Sequence, residues 1–212
     1  MGTARSVDFT LEHALPAESR EAAFVAALRA GSQDAFTYLL TVYQNPVLNI
    51  VWHIVENQAD ASDVVQDVFM KIFKGIKGFV GDSSLRTWIY RIAVHEASNH
   101  RRSWIRRHWR EPISMDDTDS HSAAVAAEAV SKESGPDQVF EQAEREVVVR
   151  QALASLSPPY RNVVVLREIE GLPYDEIAQV LGLAEGTVKS RLLRGRELLR
   201  RKLAVYVGKQ HV

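Results

Sequence analysis

The chain has 212 residues, a formal net charge of −1, 46% hydrophobic and 25% charged residues, and no cysteine. This mix can build one large or two small cores, excludes disulfides and thiolate metal sites, and argues against global disorder. No apolar run approaches a membrane span, and the N-terminus lacks the apolar core of a signal peptide, so a cytoplasmic, soluble protein is expected.

Apolar residues recur at three and four throughout, without strand-like alternation, which predicts an all-α protein. Residues 1–18 show little pattern and read as a loose segment. A helix is expected from Ser19 to Ala30, closed by Gly31. Another starts near Gln33, runs through Tyr43 and resumes after Pro46 as far as Val55. Asp60 or Ser62 caps the next helix, which ends at Lys74 before Gly75. On it Val64, Val65, Val68, Phe69, Ile72 and Phe73 form the buried side. Asp63, Gln66, Asp67 and Met70 lie on the other. Two carboxylates four apart repel by a few tenths of a kcal/mol. Either the helix dipole offsets that cost, or the face docks on a basic partner; helical geometry does not choose between them.

Gly81 to Ser84 read as a loop and cap, followed by a long helix from Leu85 to Arg102 or beyond. Leu85, Trp88, Ile89, Ile92 and Ala93 are placed on its core side. Arg91, His95, Asn99 and Arg102 line the opposite side, with Arg86 and Tyr90 near its start. Aromatics, amides and arginines on one element suit unpaired bases, although Trp88 fits a core position better. Residues 112–136 are rich in Ser, Asp, Ala and Glu and read as a linker, with a transient helix conceivable over 123–130. The helical pattern returns with Phe140, Ala143, Val147 and Ala154, and Pro158-Pro159 opens a further helix through Glu170.

The stretch Tyr174 to Leu193, YDEIAQVLGLAEGTVKSRLL, reads as a helix-turn-helix. Ile177, Ala178 and Leu181 make one apolar stripe, Gly182 supplies the turn, and Val188 and Leu192 resume the stripe. Opposite them the second helix shows Thr187, Ser190, Arg191, Arg194 and Arg201, with Lys189 and Arg196 on its flanks. Such a helix fits a major groove, with cations for phosphates and forked guanidiniums for guanine edges. A plain helical hairpin with a solvated basic face is the weaker account.

The small net charge hides segregation. Arg86 to Arg110 holds seven arginines against Glu96, Glu111 to Glu146 ten acids against Lys132 and Arg145, and Gly186 to Lys202 seven bases against Glu197. Binding to DNA depends on such local patches rather than on the sum.

Taken together, AFTYLLTVY, DVVQDVFMKIFKGIKGF, GDSSLRTWIYRIAVHEA and LPYDEIAQVLGLAEGTVKSRLLRGRELL resemble the extracytoplasmic-function (ECF) group of the sigma-70 family of bacterial initiation factors. The resemblance covers about 35–102 and 138–203. It implies two small helical domains, region 2 over 19–108 and region 4 over 137–207, joined by a flexible acidic linker over 109–136. It also implies that Asp63, Gln66, Asp67 and Met70 dock on the clamp helices of the largest subunit of core RNA polymerase. Asp82, Ser83 and Ser84 would sit near a flipped base of the minus-ten element, with Arg86, Arg91, His95, Asn99 and Arg102 along the strand. Thr187, Lys189, Ser190, Arg191, Arg194 and Arg196 would read the minus-thirty-five duplex, with the polymerase flap region holding that domain.

An anti-sigma factor is a further implied partner; no cofactor, metal, small-molecule substrate or enzymatic activity is. Pro173 departs from the capping serine or threonine of many relatives, which puts the start of the first helix of the motif in question. The rival reading is a non-initiating helix-turn-helix regulator with an N-terminal sensing or dimerisation domain. Histidines 53, 95, 100, 108 and 121 form no HExxH motif, and His95 and His100 are expected in solvent or near phosphates.

Overall fold

The structure, a computed structural model, describes residues 17–55, 57–108 and 136–209, and every regular element among them is helical. The N-terminal half holds α1 (Ala17–Arg29), α2 (Gln33–Ile54), α3 (Ala61–Gly75) and α4 (Leu85–His108). The C-terminal half holds α5 (Pro136–Ala154), α6 (Pro158–Val164, widened into a π turn over Val165–Ile169), α7 (Tyr174–Leu181) and α8 (Glu185–Lys209). The expected linker and most of the expected N-terminal segment lie outside the described residues.

Local chemistry explains most boundaries. Ser32 caps α2 by accepting from the Ala35 amide at 3.3 Å. Pro46 does not divide α2 as the sequence suggested. Proline leaves the Val42 carbonyl without its helical donor, and Val42 is exposed, so the carbonyl is open to solvent and the helix can continue. Asp60 does stand before α3, but makes no capping bond; its carboxylate meets His100 at 3.2 Å instead. His100 is thus half-buried against α3 rather than free in solvent. Pro173 holds the N-cap position of α7 in extended geometry, and Asp175 and Glu176 place charge in the first turn. Gly182 takes φ 64° and closes α7, with the Leu183 amide reaching back to the Ala178 carbonyl at 2.9 Å.

In the N-terminal half Leu39, Ile50, Val51 and Ile54 of α2 bury against Val64, Val68 and Ile72 of α3 and Leu85, Ile89 and Ala93 of α4. Each large side chain so buried stabilises by about 1.5–3 kcal/mol. Trp88 is half-buried and packs against the core: its ring lies 5.2 Å from that of Phe79, and a Cβ on Gly75 would come within 3.2 Å of it. Phe73 corrects the expected α3 stripe, since it is 57% exposed. In the C-terminal half α6 packs on α8 so closely that a Cβ on Gly195 would lie 2.7 Å from Val164 Cγ2.

The described parts of the two halves pack on each other. Their buried residues form one continuous apolar cluster, with α4 against α7 and α2 against α5 and the π turn. Arg161, 1% exposed, joins them. Its guanidinium donates to the carbonyls of Leu153 (2.8 Å), Leu156 (3.0 Å) and Ala154 at the end of α5, and of Ile54 (3.2 Å) at the end of α2. A helix C-terminus leaves carbonyls without donors and carries partial negative charge, so one buried cation satisfies two helix ends.

Candidate nucleic-acid interface

The expected minus-thirty-five face lies on the first turns of α8. Glu185 begins the helix, and Val188 (fully buried) and Leu192 (2% exposed) fix its rotation by packing into the core. That rotation turns Lys189, Ser190 and Arg194 outward and leaves Thr187 and Arg191 half-exposed beside them. Their hydrogen bonds and ion pairs are local, although Lys189 also lies 5.9 Å from the centre of the Tyr174 ring on α7. Lys189 pairs with Glu185 one turn back at 2.6 Å, Arg194 approaches Glu197 at 3.7 Å, and Ser190 Oγ donates to the Thr187 carbonyl at 3.0 Å. Exposed pairs of this kind hold by at most about 1 kcal/mol, so DNA phosphates can replace them. Arg196 differs, because it turns back onto Glu168 of the π turn at 2.7 Å.

The expected minus-ten surface is built differently. The loop before α4 runs from Phe79 to Ser84, with Gly81 at φ 87°. Ser84 is the N-cap of α4: its Oγ accepts from the Thr87 amide at 3.1 Å and lies 2.8 Å from Thr87 Oγ1. Asp82 is exposed, Ser83 half-buried. Along α4, Arg86 forks onto Glu176 of α7, with one contact at 2.6 Å, and Arg91 donates to the Gln179 carbonyl at 3.0 Å. Two cations assigned to DNA are therefore occupied by the first helix of the helix-turn-helix. Further along, His95 and Asn99 bond to each other at 3.1 Å, and Arg102 is exposed. Glu96 joins α4 to Lys71 of α3 at 2.6 Å; burial opposes its charge, but Lys71 and His95 together hold its carboxyl below the usual range.

At the same junction Tyr90, which the sequence placed near the basic face, is 5% exposed, and its hydroxyl lies 3.4 Å from Glu170. Burial raises the Glu170 carboxyl above its usual range, against the pull of Asn49 and Tyr90, and Glu170 Oε1 is buried with no hydrogen-bond partner. Burial, then the Glu170 charge, pushes the Tyr90 phenol up as well.

On the expected polymerase-docking face, Asp63, Gln66, Asp67 and Met70 are exposed together on α3. A groove of about 540 Å³ adjoins them between α2 and α3, lined by Phe36, Leu40, Gln66, Phe69, Met70 and Phe73. The sequence reading missed this apolar component, because the stripe that includes Phe73 is wider than the core that covers it. It also missed Arg161, whose signal was an arginine inside the apolar stripe of α6. No cluster of three or more His, Asp or Glu able to hold a metal occurs among the described residues.

Comparison with known proteins adds two family matches: sigma-70 region 2 over residues 39–111 and sigma-70 region 4 over residues 146–199. The chain is 33% identical over 181 residues to the ECF RNA polymerase sigma-E factor of Haemophilus influenzae, covering 85% of this chain and 94% of that protein. It is 34% identical to the sigma-E factor of Escherichia coli K12 (84% and 92% covered) and 31% to the RNA polymerase sigma-H factor of Pseudomonas aeruginosa (88% and 95%). Its fold matches CnrH in complex with the cytosolic domain of CnrY, at TM-score 0.60 and 24% identity, covering 87% of this chain and 97% of that one. The sigma factor RpoE of Bartonella quintana, solved with the anti-sigma factor NepR, matches at TM-score 0.55 and 23% identity, covering 80% and 97%.

Proposed function

This chain belongs to the sigma-70 family, in its extracytoplasmic-function group, and from that premise we propose that it binds core RNA polymerase and directs promoter-specific initiation. The carrying observation is the pairing of two different nucleic-acid elements in one chain: a cationic recognition helix, α8, and a long cationic helix, α4, led by a capped loop. Lys189, Ser190, Arg191 and Arg194 read the minus-thirty-five duplex. The loop Asp82 to Ser84 takes an extruded minus-ten base, and Arg86, Arg91, Asn99 and Arg102 follow the released strand. Asp63, Gln66, Asp67 and Met70 dock on the polymerase clamp helices, and the adjoining groove adds apolar area to that contact.

Opening duplex DNA costs roughly 1–2 kcal/mol per base-pair step. Backbone charge alone cannot supply this, because it favours duplex and single strand alike; a pocket for an unstacked base favours the open form only. In the closed arrangement Arg86 and Arg91 are held by α7, so the halves must separate before α4 can follow a strand. Polymerase supplies that separation by holding region 2 on the clamp and region 4 on the flap, after which each weak contact raises the effective concentration of the other.

The role is non-enzymatic, since the polymerase makes every bond, and it belongs in the cytoplasm. No helix among the described residues is long and apolar enough to cross a membrane. An anti-sigma factor that grips both halves would keep the cations of α4 covered; the Bartonella neighbour was solved in complex with an anti-sigma factor.

The test is purification of core polymerase with this chain, followed by transcription from fragmented genomic DNA. Co-purification and transcripts with defined start points are expected only when the chain is added. A chain that binds promoter duplex as tightly alone as with polymerase would favour the non-initiating regulator. Failure to bind core polymerase would sink initiation altogether.

A further inference from the structure

The minus-ten loop is not held by its own residues alone. It leaves the buried Phe79 and enters α4 at the buried Leu85, and between these points Val80 is 81% exposed and Gly81 sits at positive φ. Both ends are instead tied to α1. At the near end Arg29 donates to the Phe79 carbonyl. At the far end Glu21 Oε1 accepts from the Leu85 amide at 3.0 Å, across 64 positions of chain.

Helical geometry makes this a matched pair. Glu21 and Arg29 are eight residues apart, so they stand on neighbouring lines of one helix face, about 12 Å apart along the axis. Val25 lies between them and is 7% exposed, which fixes that face toward the loop. The loop and that face border an open recess of about 610 Å³, lined by Glu21, Val25, Arg29, Phe79, Val80 and Ser83 among others. Small-ligand sites fall in the range of roughly 300–1,000 Å³.

The chemistry at the far end is that of a helix cap supplied from another helix. The first amides of a helix have no partner within it and carry partial positive charge, so a carboxylate is favoured there. Ser84 satisfies the Thr87 amide and Glu21 the Leu85 amide. A carboxylate beside a DNA strand gains nothing from the phosphates, so binding DNA does not explain Glu21. Holding the loop does.

We propose that Glu21 and Arg29 are positioning residues for base capture, with α1 acting as the brace that sets the span of the loop from Phe79 to Leu85. This rests on the reading of Asp82 to Ser84 as the capture loop. The brace keeps the recess shaped before DNA arrives, so the ordering cost is met on folding rather than on binding. Neither residue need touch the base.

The experiment uses the full chain with core polymerase and compares Glu21→Ala, Glu21→Gln and Arg29→Ala. Promoter opening is followed by fluorescence of 2-aminopurine placed in the minus-ten element, on duplex promoters and on a template already open there. Glu21→Ala should slow opening of the duplex promoter about tenfold, the effect of losing one capping bond. Glu21→Gln keeps a carbonyl acceptor and should restore most of the rate, because the bond and not the charge does the holding. Arg29→Ala should slow opening to a similar degree and lower affinity for a single-stranded minus-ten oligonucleotide. Binding to core polymerase and to minus-thirty-five duplex should be unchanged in all three.

Opening at the unaltered rate in both alanine variants overturns the brace. So does a Glu21→Ala chain that loses core binding along with opening and is not rescued by Glu21→Gln, since that is general unfolding. If the unaltered chain itself opens no promoter, the proposed function fails and not merely the brace.

Discussion

The two basic surfaces of this molecule are α8 and α4, and they are in opposite states. On α8 most recognition residues pair within their own helix, Lys189 with Glu185, Ser190 with Thr187 and Arg194 with Glu197, and Arg196 alone among them forms an ion pair off the helix, with Glu168. On α4 the leading cations are spent across the junction, Arg86 on Glu176 and Arg91 on the Gln179 carbonyl. One face is open to a duplex as it stands, and the other is covered by the helix that precedes the open one. Covering the proposed strand-binding face costs little in stability, because a guanidinium suited to phosphate also binds carboxylates and helix-end carbonyls.

The comparison breaks most completely at Arg161. Replacing it with Met would leave the carbonyls at the ends of α2 and α5 without their donor, at a cost on the order of 3–5 kcal/mol. Urea unfolding of the free chain measures this, and a loss below about 1 kcal/mol would show that the buried guanidinium does not hold the halves. Next in size, Arg191→Ala and Arg194→Ala should each weaken minus-thirty-five duplex binding by about 1–3 kcal/mol where they contact bases. Unchanged titrations of the holoenzyme on that duplex would remove them from the open face.

A smaller effect is expected from the covered face. Glu176→Ala should release Arg86 and raise the affinity of the free chain for single-stranded minus-ten DNA severalfold, the scale of one exposed ion pair. No change would mean that α7 does not compete with the strand. The smallest effect is pH-dependent and sits at Glu170. Burial raises its pKa in the closed arrangement, so the closed form binds a proton more readily than the separated one. The packing is then strongest below the ordinary carboxylate range and weakens as pH rises through the raised value. Glu170→Gln should flatten this dependence, read as separation of fluorescent labels on α2 and α7; an unaltered slope would assign the pH effect elsewhere.

How much of this was legible beforehand follows from range. Helix spans, the left-handed turn at Gly182, the proline start of α6 and the outward set Asp63, Gln66, Asp67 and Met70 are local matters. A period of 3.6, a cap or a glycine declares them within a few residues. The resemblance to a sigma factor likewise rode on short motifs in order. Periodicity says which side of a helix is apolar, but not how much of that side a neighbour covers. Hence Phe73 was read as core and is exposed, while Tyr90 was placed near the basic face and is buried.

Tertiary structure alone decided the rest: that the halves share one core, that Arg161 bridges two helix ends, that α7 occupies Arg86 and Arg91, and that α1 ties both ends of the loop before α4. Each of these joins groups that the chain separates by many residues. A carbonyl at a helix end or an arginine on a basic face accepts many partners of equal local merit. Only the packed arrangement of helices selects one.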